Sequence, residues 1–375
     1  MAKQKETKEI KEEKKPVITD HSYQFLRSYI NNASPVGFES SGQQMWLDYL
    51  KPFIDTHFTD PYGTAVGVIN PDAPFKVVIE AHADEISWFV NYINDQGLIY
   101  LKRNGGVDHQ IAPSMRVNIW GKKGVVKAVF GWPAIHTRLS NNDAKEPQPK
   151  VESLFLDCGA RNKKEVEELG IHIGAVVTYQ DGFDELVNNY LIGRAFDNRV
   201  GGFMIAEVAR LLKENSIKLP YGLYIVNAVQ EEIGLRGAEM IARRIKPNIA
   251  IVTDVTHDTQ TPMINKVIEG DIACGKGPSL AYGPAVHNKL LNIVMDVAES
   301  NAIPVQNRTV SRSTGTDTDS FAYANDGCPS VLISIPLRYM HTTVEMLHKD
   351  DIESTIRLMY QTLLTLTPET NLSYL

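Results

Sequence analysis

Several histidines and acidic residues of this 375-residue chain stand where they could bind metal ions and activate water. They are His82, Asp84, Asp197, Glu231, Glu232, Asp254 and His341. Imidazoles mixed with carboxylates, without thiolates, suit zinc, cobalt or manganese at a catalytic centre, whereas calcium takes oxygen ligands. Two such ions that share one carboxylate would activate water and polarise a carbonyl group, so the donor set predicts a hydrolytic metal centre.

The adjacent pair Glu231 and Glu232 follows the apolar run GLYIVNAV. Such a pair at a strand end can supply one metal ligand and one general base, although a solvated charged turn explains the same pattern. His82 and Asp84 are two residues apart, which places both on one face of a strand. Asp84 could then accept the second ring N–H of a metal-bound His82, although a lone histidine is more often structural.

Asp197 is the most ambiguous of these residues. It precedes NRVGGFMIAEVARLL, which has helical periodicity, and aspartate is a favoured helix N-cap. Asp254 and His341 also have an ordinary alternative as turn residues at the ends of strands. Each residue alone is therefore weak evidence, and the joint pattern is what favours a metal centre.

The elements that would position these residues alternate between helices and buried strands. The run FKVVIEA precedes His82, IAIVTDV contains Asp254, and SVLISIP comes shortly before His341. In open α/β sheets the carboxyl ends of the strands form the ligand-binding crevice. Between 88 and 185 the pattern changes to short β-like runs with glycine and proline turns, which indicate an inserted small β-barrel. We therefore predict an α/β fold with a discontinuous domain at 17–87 and 186–375 and a β-rich domain at 88–185.

Composition narrows the class of protein further. The formal net charge of −7 disfavours nucleic-acid binding, and no apolar run approaches the roughly 20 residues of a membrane span. Residues 1–16 mix lysine with glutamate, which predicts a charged, disordered arm rather than an export signal. The three scattered cysteines argue against a disulfide framework. We expect a cytoplasmic protein without nucleic-acid or membrane partners.

A run of motifs resembles the tetrahedral aminopeptidase family, which includes glutamyl and deblocking aminopeptidases. The motifs are HADEI, GRAFDNRVGG, QEEIGLRGA, TDVT, GTDTDSFAYANDGCPS and IPLRYMHTTVE. The resemblance implies a mixed-sheet α/β/α domain with an inserted barrel that serves dimerisation. It also implies roles for individual residues: His82 and Asp254 on one metal, Glu232 and His341 on the other, Asp197 bridging, Glu231 as general base, Asp84 orienting His82, and a cis peptide between Asp197 and Asn198.

The resemblance further implies two divalent ions, zinc or cobalt and alternatively manganese, and removal of N-terminal residues from peptides. It implies a homododecamer built from dimers. The same metals could instead serve an N-acyl amino acid hydrolase or a non-catalytic metal-binding scaffold, because a fold does not dictate a substrate. We expect loops at 275–278 and 315–319 to form the pocket for the first residue of the peptide substrate. The sequence does not identify the side chain that this pocket prefers.

Overall fold

The computed structural model describes residues 16–138 and 148–375. The predicted arm at 1–16 lies outside these ranges, apart from Pro16. Within them, no helix has both the length and the apolar character that crossing a membrane requires.

The helices and strands of the described ranges are numbered here in chain order. The helices are α1 (Asp20–Asn31), α2 (Ser40–Leu50), α3 (Ile135–Arg138), α4 (Lys163–Glu168), α5 (Phe196–Glu214), α6 (Arg236–Ile245), α7 (Lys266–Glu269), α8 (Asn288–Ser300), α9 (Asp317–Ala322) and α10 (Lys349–Thr365). The strands are β1 (Thr56–Thr59), β2 (Ala65–Ile69), β3 (Lys76–His82), β4 (Ser87–Ile93), β5 (Ile99–Asn104), β6 (Arg116–Gly121), β7 (Gly124–Phe130), β8 (Phe155–Asp157), β9 (Val176–Tyr179), β10 (Asp184–Glu185), β11 (Tyr190–Gly193), β12 (Gly222–Ala228), β13 (Ile249–His257), β14 (Ser279–Tyr282), β15 (Gln306–Thr309), β16 (Ser330–Leu337) and β17 (Glu345–His348).

The main sheet has eight strands in the order β1, β2, β12, β3, β13, β16, β14, β15. Its four central strands, β12, β3, β13 and β16, run parallel, whereas β2 is antiparallel to β12 and β14 is antiparallel to β16. Val77, Val78 and Ile79 of β3 are fully buried, as a strand covered on both faces requires. The predicted α/β class with a mixed sheet is therefore confirmed.

Helix α5 packs closely against the strand that ends in His82. It packs on β3 and against α1, α2 and α10. A Cβ atom added to Gly201 would lie 2.8 Å from the Cβ of Ala81, so glycine at this position lets the first turns of α5 approach β3 closely. The indole N–H of Trp46 also donates to the Gly202 carbonyl at 2.7 Å. Together these contacts hold the start of α5 against the strand that ends in His82.

The region between β3 and α5 contains a second hydrophobic core. Strands β4, β5, β8, β7, β6 and β9 form a closed barrel around buried side chains that include Trp88, Ile119 and Leu156. The predicted small β-barrel is confirmed. Strand β11 instead lies between β10 and β17 in a separate three-stranded antiparallel sheet. The domain boundaries at 87/88 and 185/186 stay a prediction.

Candidate active site

Strand register brings three of the predicted residues to one edge of the main sheet. His82 is the last residue of β3 and pairs with Ala228, the last residue of β12. Glu231 and Glu232 lie in a short 3-10 turn that begins three residues after β12 ends. Because β3 and β12 are parallel, their carboxyl ends coincide, and the two glutamates lie beside the histidine.

Strands β13 and β16 complete this edge. Val252 of β13 pairs with Glu80 of β3, so Asp254, two residues further on, is level with His82. His341 follows β16 and has a left-handed backbone, with φ of 62°. The structure therefore gathers the strand-end residues that the sequence places far apart.

Asp197 reaches the same edge from the start of α5. Its backbone and that of Asn198 depart from helical geometry, and the peptide bond between them is cis, which confirms that expectation. Among the described residues no helical N–H donates to its carboxylate, so the N-cap alternative is wrong. Oδ1 lies 3.2 Å from Nε2 of His82, and Oδ2 lies 3.2 Å from Nε2 of His341. One carboxylate thus stands between the two imidazoles.

The remaining predicted groups divide between the two imidazoles. Glu232 Oε2 is 3.3 Å from His341 Nε2, whereas Asp254 Oδ1 and Glu231 Oε2 lie 3.8 and 3.9 Å from His82 Nε2. The pairing of ligands that the resemblance implies stays a prediction, because Glu232 also groups with His82 and Asp197. These contacts do not separate ligand from base, because the donor atoms of His82, Glu231 and Asp254 also lie within 4.8 Å of one another.

The electrostatics of the cluster are those of a cation site. Burial raises the pKa of Glu231 to about 10, and repulsion from Asp254, Asp317 and Glu232 adds to this rise. Burial likewise raises the pKa of Asp254 to about 7, with Asp197 contributing. Crowded carboxylates at a buried position repel one another, and divalent ions would relieve that repulsion. The donor types and this excess of negative charge fit two bound metal ions.

The pKa values of the two imidazoles are raised as well, because carboxylates surround both rings. Although burial lowers the pKa of His341, its hydrogen bonds with Asp197 and Glu232 raise that pKa to about 12. Burial also lowers the pKa of His82, yet Glu231, Asp197 and Asp84 raise it well above its ordinary value. These shifts show that each ring is held among carboxylates that favour a positive charge there.

Asp84 is fully buried behind the two glutamates. Its Oδ1 accepts the backbone N–H of Glu231 at 3.0 Å, and its Oδ2 accepts that of Glu232 at 3.1 Å. Nδ1 of His82 lies 3.4 Å from Asp84 Oδ1 without the alignment of a hydrogen bond. Asp84 therefore holds the turn that carries both glutamates, a contact that the sequence did not indicate. Its role in orienting His82 stays a prediction.

Glu345, like Asp84, is a buried carboxylate that accepts two backbone N–H groups, and sequence reasoning missed it. It is buried, its Oε2 accepts the backbone N–H of Asp197 at 3.0 Å, and its Oε1 accepts that of His341 at 2.9 Å. One carboxylate thus joins the backbones of two predicted ligands. A glutamate four residues after a histidine carries no sequence signal for this contact.

We expect Glu345→Gln to weaken metal binding. The amide keeps the size of the side chain, but its NH₂ cannot accept, so one buried backbone N–H loses its partner, at a cost of about 1–3 kcal/mol. Metal titration followed by the melting temperature and by ion counting should show lower affinity. Glu299→Gln, at an exposed residue of α8, is the matched control. Unchanged affinity in the Glu345 variant would contradict the positioning role.

All the predicted site residues except Asp84 line a cavity of about 630 Å³ that opens at this edge. Its other lining residues include Arg308, Thr314, Gly315 and Asp319, so the expected contribution of the loop at 315–319 is present. The loop at 275–278 is not part of the lining among the described residues, and that expectation is wrong. The amides of Gly275 and Gly277 in that loop donate to Asp351 at 2.6 and 2.7 Å.

Comparisons with known proteins identify the family of this chain. Residues 63–358 match the family model of the M42 glutamyl aminopeptidases. The chain is 31% identical over 339 residues to the lysyl aminopeptidase of Pyrococcus furiosus, with 90% of this chain and 95% of that protein covered. A TET aminopeptidase from a marine sediment archaeon of the Thaumarchaeota has a TM-score of 0.89 at 29% identity, with 94% and 98% of the two chains covered.

A TET1 peptidase of Pyrococcus horikoshii, which can assemble into a tetrahedron or a large octahedral shell, has a TM-score of 0.81. At 24% identity over 92% of this chain and 100% of that one, it supports the fold. The family match spans the barrel and all the predicted site residues. The chain therefore belongs to the M42 glutamyl aminopeptidase family and is a metal-dependent aminopeptidase, as its motifs predict.

Proposed function

We propose that five residues hold two divalent ions, with Asp197 bridging, and that Glu231 is the general base. His82 and Asp254 would bind one ion, and Glu232 and His341 the other. The observation that supports this arrangement best is the position of the Asp197 carboxylate, whose two oxygens each lie 3.2 Å from a different imidazole. When bound, the ions would supply Lewis acidity towards the scissile carbonyl and lower the pKa of water.

Glu231 would carry the proton between water and the leaving group. Its side chain lies at the cavity and approaches His82, while Asp84 fixes its backbone N–H. In peptide hydrolysis the carboxylate takes a proton from the attacking water and returns it to the leaving amine. Nearby cations would lower the pKa that burial raises in Glu231 and so favour the carboxylate form that this role needs.

A panel of aminoacyl chromogenic substrates and their N-acetylated counterparts tests the activity. The protein is loaded in turn with zinc, cobalt or manganese, any of which suits these donors. We expect cleavage that requires a free N-terminal amine. Preference for the acetylated substrates would favour an N-acyl amino acid hydrolase, and a fully loaded protein without turnover would favour a metal-binding scaffold.

We further propose that the chain assembles into a homododecamer of dimers that acts on peptides, with the barrel contributing to the dimer contacts. The shell formed by the Pyrococcus horikoshii TET1 peptidase supports this proposal. A cage with inward-facing sites would admit peptides and exclude folded proteins. Analytical ultracentrifugation should give a mass near twelve chains of 41.8 kDa, and a monomer would contradict it.

A cytoplasmic location is part of the same proposal. Cys158, Cys274 and Cys328 all lie in the described ranges and are unpaired. Free thiols are typical of a reducing compartment.

A further inference from the structure

Two consecutive glycines bring the β-barrel up to the proposed metal site. Gly105 and Gly106 follow Asn104, the last residue of β5. Asn104 is buried, and its side-chain amide donates to the Val36 carbonyl, between α1 and α2, at 2.9 Å. Val107, on the other side of the glycines, is buried in the core of the barrel. The two glycines are therefore held between buried anchors.

Each glycine approaches one of the two residues that we assign to the same ion. The carbonyl oxygen of Gly106 lies 3.2 Å from Nδ1 of His341. The other ring nitrogen, Nε2, lies 3.2 Å from Asp197 Oδ2 and 3.3 Å from Glu232 Oε2. A Cβ atom added to Gly105 would lie 3.4 Å from the Cβ of Glu232. The barrel thus contributes a wall to one side of the cluster.

The hydrogen bond between Gly106 and His341 determines which ring nitrogen can bind a cation. A carbonyl oxygen only accepts hydrogen bonds, so Nδ1 keeps its hydrogen and Nε2 is the nitrogen that can bind. Metal-binding histidines commonly donate their second ring N–H in this way, which fixes both the tautomer and the orientation of the ring. The backbone N–H of His341 donates to Glu345, so Glu345 holds the backbone and Gly106 holds the ring.

The missing side chain of Gly106 makes room for the same ring. A Cβ atom at this position would lie 2.8 Å from Nδ1 and 2.9 Å from Cε1 of His341. In the described ranges, no other residue beyond its chain neighbours comes within 4 Å of that Cβ position. Unlike Gly105, with φ of 85°, Gly106 lies outside the left-handed region. A methyl group here would therefore act through the imidazole and not through backbone strain.

We propose that Gly106 is a positioning residue of the metal centre, whose carbonyl orients His341 and whose lack of a side chain leaves space for the ring. This inference rests on the proposed arrangement of two ions. The hydrogen bond of Gly106 is with His341 and not with His82 or Asp254, so the binding of one ion depends on it. The barrel then has a part in metal binding besides its proposed part in the dimer contacts.

Isothermal titration calorimetry of Gly106→Ala with zinc, and separately with cobalt, tests the proposal. The wild-type protein should bind two ions. We expect the variant to bind one ion about 10- to 100-fold more weakly, the usual effect of disturbing a partner that orients a metal ligand, and to bind the other with wild-type affinity. Gln110→Ala, at an exposed residue of the same loop, is the matched control and should bind both ions normally.

A double-mutant cycle with His341→Ala separates positioning from a general loss of structure. In the wild-type background, Gly106→Ala should lower the melting temperature of the metal-free protein, because the added methyl displaces the ring. In the His341→Ala background that ring is absent, so the same change should alter neither the melting temperature nor the affinity for the remaining ion. Equal losses in both backgrounds would overturn the proposal. If Gly106→Ala alone does not fold, the double variant should fold, and its failure to do so would equally contradict the role.

The same titrations distinguish failure of this inference from failure of the metal centre. If the wild-type protein binds two ions and Gly106→Ala binds both with wild-type affinity, the centre stands and the positioning role is wrong. Equal weakening of both ions also rejects it, since Gly106 contacts a proposed ligand of only one. A wild-type protein that binds fewer than two ions counts against the proposed centre itself, and the inference fails with it.

Discussion

Glu231→Gln should lower kcat by about 10²- to 10⁴-fold while both metal ions remain bound. Glutamine has the shape of glutamate but cannot accept the proton of the attacking water. The backbone N–H of Glu231 keeps its hydrogen bond to Asp84, so the turn that also carries Glu232 stays in place. The loss should therefore appear in turnover and not in metal content.

Kinetics and ion counting on the same preparation check this expectation. Glu299→Gln, the exposed control on α8, should retain wild-type kcat and metal content. Near-normal turnover in the Glu231 variant would remove the residue as base. Loss of one ion would instead make Glu231 a ligand. Ion counting tests this alternative, because Glu231 Oε2 lies 3.9 Å from Nε2 of His82.

The edge of the sheet that holds the site was predictable because parallel strands share a direction. The apolar runs before His82, around Asp254 and before His341 each predict a buried strand, and the carboxyl ends of such strands meet. The register of β13 against β3 then sets the relative positions of the two residues. Val252 pairs with Glu80, so Asp254 is level with His82. A pattern of period two or of continuous burial is enough to locate such residues.

Asp197 was not predictable in the same way. Its type and its place before a helical pattern fit an N-cap, and local spacing contains nothing that distinguishes a cap from a bridging ligand. The family motif supplied that distinction. In the structure, the non-helical backbone at Asp197 and Asn198 directs the carboxylate away from the helix and towards two histidines that are distant in sequence.

Glu345 and Arg308 show why the surroundings of a site escape sequence reasoning. Glu345 acts through backbone N–H groups, which every residue but proline has, so its partners leave no trace in the pattern of side chains. Arg308 stands on a four-residue strand whose periodicity is too short to predict which side faces the cavity. The short strands β14 and β17 escape detection for the same reason.

Asp197→Asn should have the largest effect on metal binding, because one carboxylate serves both predicted ions. Although burial raises its pKa, hydrogen bonds from His341 and His82 hold the pKa of Asp197 well below the usual range, so the group is ionised at any working pH. Asparagine keeps the shape but replaces one oxygen by an NH₂ group, which cannot bind a cation and which meets an imidazole.

We therefore expect Asp197→Asn to lose most of its bound metal and more than about 10³-fold in kcat/KM, since both depend on the paired ions. Ion counting after dialysis, and the rise in melting temperature on adding zinc or cobalt, measure the first effect independently of turnover. Asp296→Asn, at an exposed position on α8, is the matched control and should bind metal normally. If Asp197→Asn kept both ions at wild-type affinity, the carboxylate between the imidazoles would not be a bridge. The site would then consist of two separate ions, each held by its own strand-end residues.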